Sequence, residues 1–167
     1  RLIGHSMSGK LFASTILVGG IALASMVGGT VNASALSKTQ ENAVVKLVKA
    51  ERGKPYVPGG AGPRSFDCSG LVQYVYKHAV NKKLAHYTGS QKSETVAVSW
   101  KNRKPGDLVF FTRRGSSTPY HVGIYIGVVN HHSEMVAAAY PGAGVRSEII
   151  YSSYWEHAAN ITFRRVK

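Results

Sequence analysis

The stretch Phe66-Asp67-Cys68-Ser69-Gly70-Leu71-Val72 decides how this chain is read. Before it lies Pro58-Gly59-Gly60-Ala61-Gly62-Pro63, a loop by composition. After it, Leu71, Val72, Val75, Tyr76 and Ala79 recur at helical spacing. A loop therefore leads directly into an amphipathic helix over residues 67–80, and Cys68 sits at the junction. A free thiol has a pKa of about 8.5, and the positive end of a helix dipole favours the thiolate. Cys68 is thus a candidate nucleophile, and a nucleophilic cysteine needs a base to take its proton.

His121 is the best candidate for that base. It opens His121-Val122-Gly123-Ile124-Tyr125-Ile126-Gly127, a strand whose glycines permit close approach of other backbone. His78, His86 and His157 are weaker candidates. His78 lies near the far end of the cysteine's own helix, too far along its axis to reach the thiol. His131 and His132 fall in a polar turn.

Outward from this centre, residues 37–52 read as a helix. Ser37 and Gln40 form a capping box, and Ala43, Val44, Leu47 and Val48 make an apolar side. Gly53 ends the helix and Pro55 prevents its resumption. Residues 81–89 read as a loop and 90–97 as a short helix. After Pro105-Gly106 the period changes to that of strands: 108–111, 121–127, 135–139, 145–150 and 161–165. Short gaps favour antiparallel pairing. Helices first and strands afterwards predict an α+β fold with a sheet of about five strands.

The chain has 167 residues, room for one domain. Its single cysteine excludes an intrachain disulfide framework and any multi-cysteine zinc site. Residues 1–35 read as a secretory signal peptide: a basic start, the uncharged run LFASTILVGGIALASMVGG, and Ala33-Ser34-Ala35 as a cleavage pattern. An uncleaved N-terminal anchor is the rival reading. Residues 36–167 are then the exported domain. In an exported chain, a lone cysteine points to a reactive thiol. The formal net charge is +13, or +11 once Arg1 and Lys10 leave with the signal. That charge favours polyanions, such as anionic wall polymers, or serves as a solvated basic surface. The basic residues are scattered and no nucleic-acid motif accompanies them, so no nucleic-acid partner is expected.

Four blocks now carry a resemblance. Pro55-Tyr56-Val57 with Gly59-Gly60, Phe66 to Tyr76, Pro105-Gly106-Asp107-Leu108-Val109-Phe110-Phe111, and His121 to Gly127 resemble NlpC-type cell-wall cysteine peptidases. Pro141-Gly142 and Gly144-Val145 are similar to the family as well, so the match covers about residues 43–165. The resemblance implies a papain-like α+β fold, with the cysteine helix packed on an antiparallel sheet. It implies cleavage of peptidoglycan stem peptides between D-glutamate and a diamino acid. Cys68 would be the nucleophile and His121 the general base, with Tyr56 donating near the oxyanion. Asp67 and Ser69 would shape the substrate site. The implied chemistry uses no metal and no cofactor, and the chain is expected to act as a monomer.

Two departures from the family pattern stand out. Pro58 replaces an aromatic residue that usually follows Pro-Tyr-Val. Ala137, in Met135-Val136-Ala137-Ala138, occupies the position of a polar third residue, often His, that orients the catalytic histidine. His131 and His132 are the candidates to substitute for it. A weakened or inactive wall-binding module on the same fold is therefore the alternative reading. A different acyl transfer by the same Cys/His pair is a third.

Overall fold

The fold is a computed structural model, described for residues 35–156 and 160–167. The proposed signal segment and His157 lie outside the described residues. Those described belong to one unit of the chain, 32–167.

Helix α1 (Lys38–Ala50) begins at Ser37, whose hydroxyl accepts from the Gln40 N–H while the Gln40 side chain accepts from the Ser37 N–H. This reciprocal cap satisfies two backbone donors that no helical turn can reach. Gly53 follows at φ +88°, a conformation glycine adopts without steric cost. Helix α2 (Cys68–Val80) begins at the Asp67 cap and ends on Asn81 in the left-handed region. Helix α3 (Thr88–Ser93) follows.

The sheet has six strands, one more than expected: β1 (Thr95–Val98), β2 (Leu108–Thr112), β3 (His121–Val129), β4 (His132–Ala138), β5 (Val145–Ile149) and β6 (Asn160–Val166). All pairings are antiparallel, in the order β1-β6-β2-β3-β4-β5. The expected helix over 90–97 is corrected. It stops at Ser93, and Thr95-Val96-Ala97-Val98 pairs with the C-terminal strand β6. Two valines and a threonine suit a pleated edge better than a helix end, and the partner is remote in sequence. A 3-10 turn (Trp100–Asn102) and a short helix α4 (Ser153–Glu156) were not signalled by periodicity.

Alternation along the strands builds two apolar layers. Leu108, Phe110, Val122, Ile124, Val136 and Ala138 face α1 and α2, meeting Val44, Val48, Leu71, Val72, Val75 and Tyr76. On the opposite face, Val109, Phe111, Tyr125, Met135, Ala137, Ile150, Trp155 and Phe163 pack together. His121 shares this second face, because residues two apart along a strand point the same way.

Polar contacts lock the sheet to the helices. The Tyr76 hydroxyl donates to the Gly106 carbonyl in the buried layer. Arg165 grips the buried Asp107 carboxylate with two hydrogen bonds of 2.8 Å, while the Lys104 N–H donates to the same carboxylate at 2.7 Å. Pro105-Gly106-Asp107 is thus a structural corner that ties the start of β2 to the end of β6.

Candidate active site

Asp67 organises the first turn of α2. Its Oδ1 accepts from the Gly70 N–H at 2.7 Å and from the Ser69 hydroxyl at 3.2 Å. Its Oδ2 accepts from the Gly59 N–H at 2.9 Å, tying the glycine loop to the helix. His86 Nε2 reaches both oxygens, at 2.8 and 2.9 Å. The same corner explains Gly70. A Cβ there would stand 1.9 Å from the Gly60 carbonyl oxygen, so loop and helix approach as closely as backbone allows.

These contacts place Cys68 at the first position of α2, partly buried. The backbone N–H groups of Val122, Ser69 and Cys68 itself act electrostatically on its sulfur. Val122 is the residue after His121, so the cysteine turn abuts the start of β3. These N–H groups pull the thiol pKa down, as the helix start suggests, but they do not prevail. Burial, with the Asp67 carboxylate adding to it, raises the thiol to about 11. The dipole expectation is therefore outweighed by desolvation.

His121 is 4% exposed, and burial lowers its pKa to about 4. Its Nε2 is buried without a hydrogen-bond partner. The ring stacks on the Trp155 indole, with centroids 4.9 Å apart and planes 7° from parallel. Phe111 meets it from another side at 5.6 Å. At rest the pair is a neutral thiol and a neutral imidazole.

Tyr56 lies on the flank of this centre. The charges of Cys68 and Asp67 add to a rise of its pKa caused mainly by desolvation. A groove of about 250 Å³ adjoins it, lined by Gly53, Lys54, Pro55, Gly142, Ala143 and Gly144. Ser69 is buried with its hydroxyl on Asp67, and the Gln91 amide donates to its carbonyl at 2.9 Å. Asp67 and Ser69 thus spend their polar atoms on the protein's own frame. Pro58 is exposed at the tip of the loop.

His131 and His132 do not join the centre. Both are exposed, and they form the turn between β3 and β4, where Val129 pairs with His132. His121 opens the other end of β3, eight residues away, or about 26 Å at strand rise. Neither can orient its ring. The physical reason is the tight hairpin, which directs the turn away from the cysteine. The pairing of Ile124 with Val136 sets Ala137 opposite Gly123, on the face that carries His121. Its methyl group offers His121 no hydrogen bond.

His86, a weaker base candidate in the sequence, holds Asp67 instead, and one residue of the site escapes the sequence reading. Trp155 lies in a segment with no periodic signal. Among the described residues, no group of three or more His, Cys, Asp or Glu could hold a metal ion.

An antiparallel sheet thus backs a helix that starts at Cys68, and His121 opens one of the strands, β3. The NlpC/P60 family profile matches residues 53–164, and the chain belongs to that family. It is 32% identical over 124 residues to the murein DD-endopeptidase MepH of Escherichia coli, covering 72% of this chain and 44% of that protein. It is 38% identical over 112 residues to the probable endopeptidase p60 of Listeria monocytogenes, covering 67% of this chain and 21% of the relative. The chain thus spans less than half the length of these curated relatives. The solved NlpC/p60 domain of the peptidoglycan hydrolase SagA superposes with a TM-score of 0.61 at 30% identity, covering 74% of this chain and 97% of that one.

Proposed function

We propose that this chain is an exported peptidoglycan endopeptidase that hydrolyses the D-glutamyl–diamino acid bond of stem peptides through a Cys68 thioester. The observation that carries this reading is Cys68 at the first position of α2, with the N–H of Val122, the residue after His121, acting on its thiol. The names of the family relatives support an endopeptidase on peptidoglycan. MepH is named for a DD bond, so the bond cut by this chain rests on the resemblance of its four sequence blocks.

In the proposed mechanism, the Cys68 sulfur attacks the amide carbonyl carbon. Since Nε2 of His121 is enclosed, Nδ1 is the nitrogen left to take the thiol proton. The carbonyl oxygen gains negative charge near the backbone N–H groups of the first turn and the Tyr56 hydroxyl. His121 then returns its proton to the leaving amine as the C–N bond breaks, leaving a thioester on Cys68. Water, deprotonated by His121, attacks the thioester and frees the D-glutamyl carboxylate and the thiol. No cofactor enters these steps. The exposed cations hold the chain against anionic wall polymers, as a monomer.

One observation favours a second reading. The Nε2 of His121 has no hydrogen-bond partner and Ala137 supplies none, the arrangement of a weakened centre that binds walls without cutting them. Purified chain, Cys68→Ala and His121→Ala are incubated with defined stem peptides, and the products are read by mass spectrometry. Cleavage between D-glutamate and the diamino acid, lost in both variants, is the expected result. Binding that survives Cys68→Ala, with no turnover by the folded parent, would replace the first reading by the second.

A further inference from the structure

His121 would be the base of the proposed reaction, yet no polar group fixes its ring. Its Nε2 is buried and unpartnered, and Ala137, on the same sheet face, has only a methyl group. Gly123, the next residue on that face of β3, carries no side chain to brace it. An unrestrained imidazole samples several rotamers, and a base must hold one. Something else has to set the plane of this ring.

The stacked indole meets that need. Trp155 is 4% exposed and lies parallel to His121 within 7°. It is itself fixed on three sides. Phe111 packs on it at 4.4 Å, and Tyr154 meets it edge-on at 4.7 Å. Glu148 on β5 lines the same pocket wall as the indole and its carboxyl feels the indole N–H, while Arg146 lies 3.7 Å from that carboxylate. Glu148 pairs with Met135 and Arg146 with Ala137, so this polar pair lies directly beside the position that lacks a polar side chain.

We propose that Trp155, anchored by Glu148, is the positioning residue for His121. It holds the imidazole by stacking, where a hydrogen bond from the residue-137 position would otherwise do so. A broad aromatic surface on one face fixes the ring plane, while Phe111 limits rotation from the side. The anchor matters because Trp155 comes from a short helix, α4, at the margin of the domain. Without the Glu148 contact the indole is free to swing away. This inference rests on the Cys68/His121 reading for its catalytic consequence, but the positioning itself does not.

The test compares the purified chain with Trp155→Ala, Trp155→Phe and Glu148→Leu. It uses steady-state kinetics on a defined stem peptide and NMR of the His121 ring protons. Trp155→Ala is expected to lower kcat at least 10-fold with KM within about 2-fold, because ring placement acts after binding. Trp155→Phe, which keeps an aromatic face, should retain kcat within about 3-fold of the parent. Glu148→Leu should fall between them. In the parent the His121 ring protons should be shifted upfield by the indole and report one rotamer, and both features should vanish in Trp155→Ala. Unchanged kcat in Trp155→Ala, or a rise in KM alone, would overturn the proposal. If the parent cleaves nothing, the Cys/His reading fails, and the NMR result still decides the positioning. An unshifted His121 ring in the parent would refute it.

Discussion

At the scale of single residues, the site depends on two titrations moved apart by burial. His121 is depressed to about 4, from 6.5 in an unburied ring, because its charged form has lost water. The folded state therefore resists protonation that the unfolded chain accepts. Stability from this group is fully present above pH 6.5 and is lost as pH falls toward 4, on the order of 3 kcal/mol in all. Denaturant titrations between pH 7 and pH 4 should show that loss, and His121→Gln should flatten it. Cys68 behaves oppositely: raised from 9.0 to about 11, it stabilises the fold below pH 9 and ceases to do so as pH climbs past 11. For activity, the same separation predicts a broad bell in kcat/KM. Its acid limb should lie well below an ordinary imidazole pKa and its alkaline limb above an ordinary thiol pKa. A narrow optimum, with an acid limb near 6.5, would show that His121 is hydrated in the working enzyme.

The elements show which parts of this arrangement were legible in the chain. The α1 cap was readable because Ser37 and Gln40 are three residues apart and satisfy each other locally. The start of α2 was readable because loop composition and helical spacing meet at Cys68. Strand β1 was not, since Thr95–Val98 becomes a strand only by pairing with β6, some 65 residues on. His86 could be seen, but not its role, for its partner Asp67 lies 19 positions earlier. Trp155 gave no signal at all, because stacking on His121 is a tertiary contact with no local period. Asp107 was quoted as part of a motif, and only the fold reveals it as the buried seat of Arg165.

Two substitutions test these joints. Gly70→Ala sets a methyl group against the Gly60 carbonyl, and backbone must move to admit it. A loss of about 2 kcal/mol is expected in thermal or denaturant unfolding, with reduced activity because the cysteine turn shifts. Asp107→Ala leaves the Arg165 guanidinium without its bidentate partner and the Lys104 N–H unsatisfied. It should cost about 3 kcal/mol while changing KM little, since this corner is remote from Cys68 in role. Wild-type stability in either variant would show that the corresponding contact is dispensable.

For the molecule as a whole, charge is distributed unevenly in function. Many of the acids are committed internally: Glu41 and Glu51 to lysines, Asp67 to His86, Asp107 to Arg165 and Glu148 to Arg146. Much of the cationic excess is left on the surface, including Arg52, Arg64, Lys83, Lys101, Arg113 and Arg114. Retention on an anionic wall polymer should therefore weaken steeply between low and physiological salt, because exposed charges are screened over about 8–10 Å. Retention that ignores salt would assign wall contact to the groove beside Tyr56 instead.

The central claim is that Cys68 forms a thioester with the D-glutamyl carbonyl, and partitioning by hydroxylamine tests it most directly. A defined stem peptide is digested with and without hydroxylamine, by the purified chain and by Cys68→Ala, and the products are weighed by mass spectrometry. A covalent intermediate predicts a D-glutamyl hydroxamate beside the free acid, rising with hydroxylamine, and neither product from Cys68→Ala. Free acid alone at every hydroxylamine concentration, or cleavage that persists in Cys68→Ala, would contradict the account.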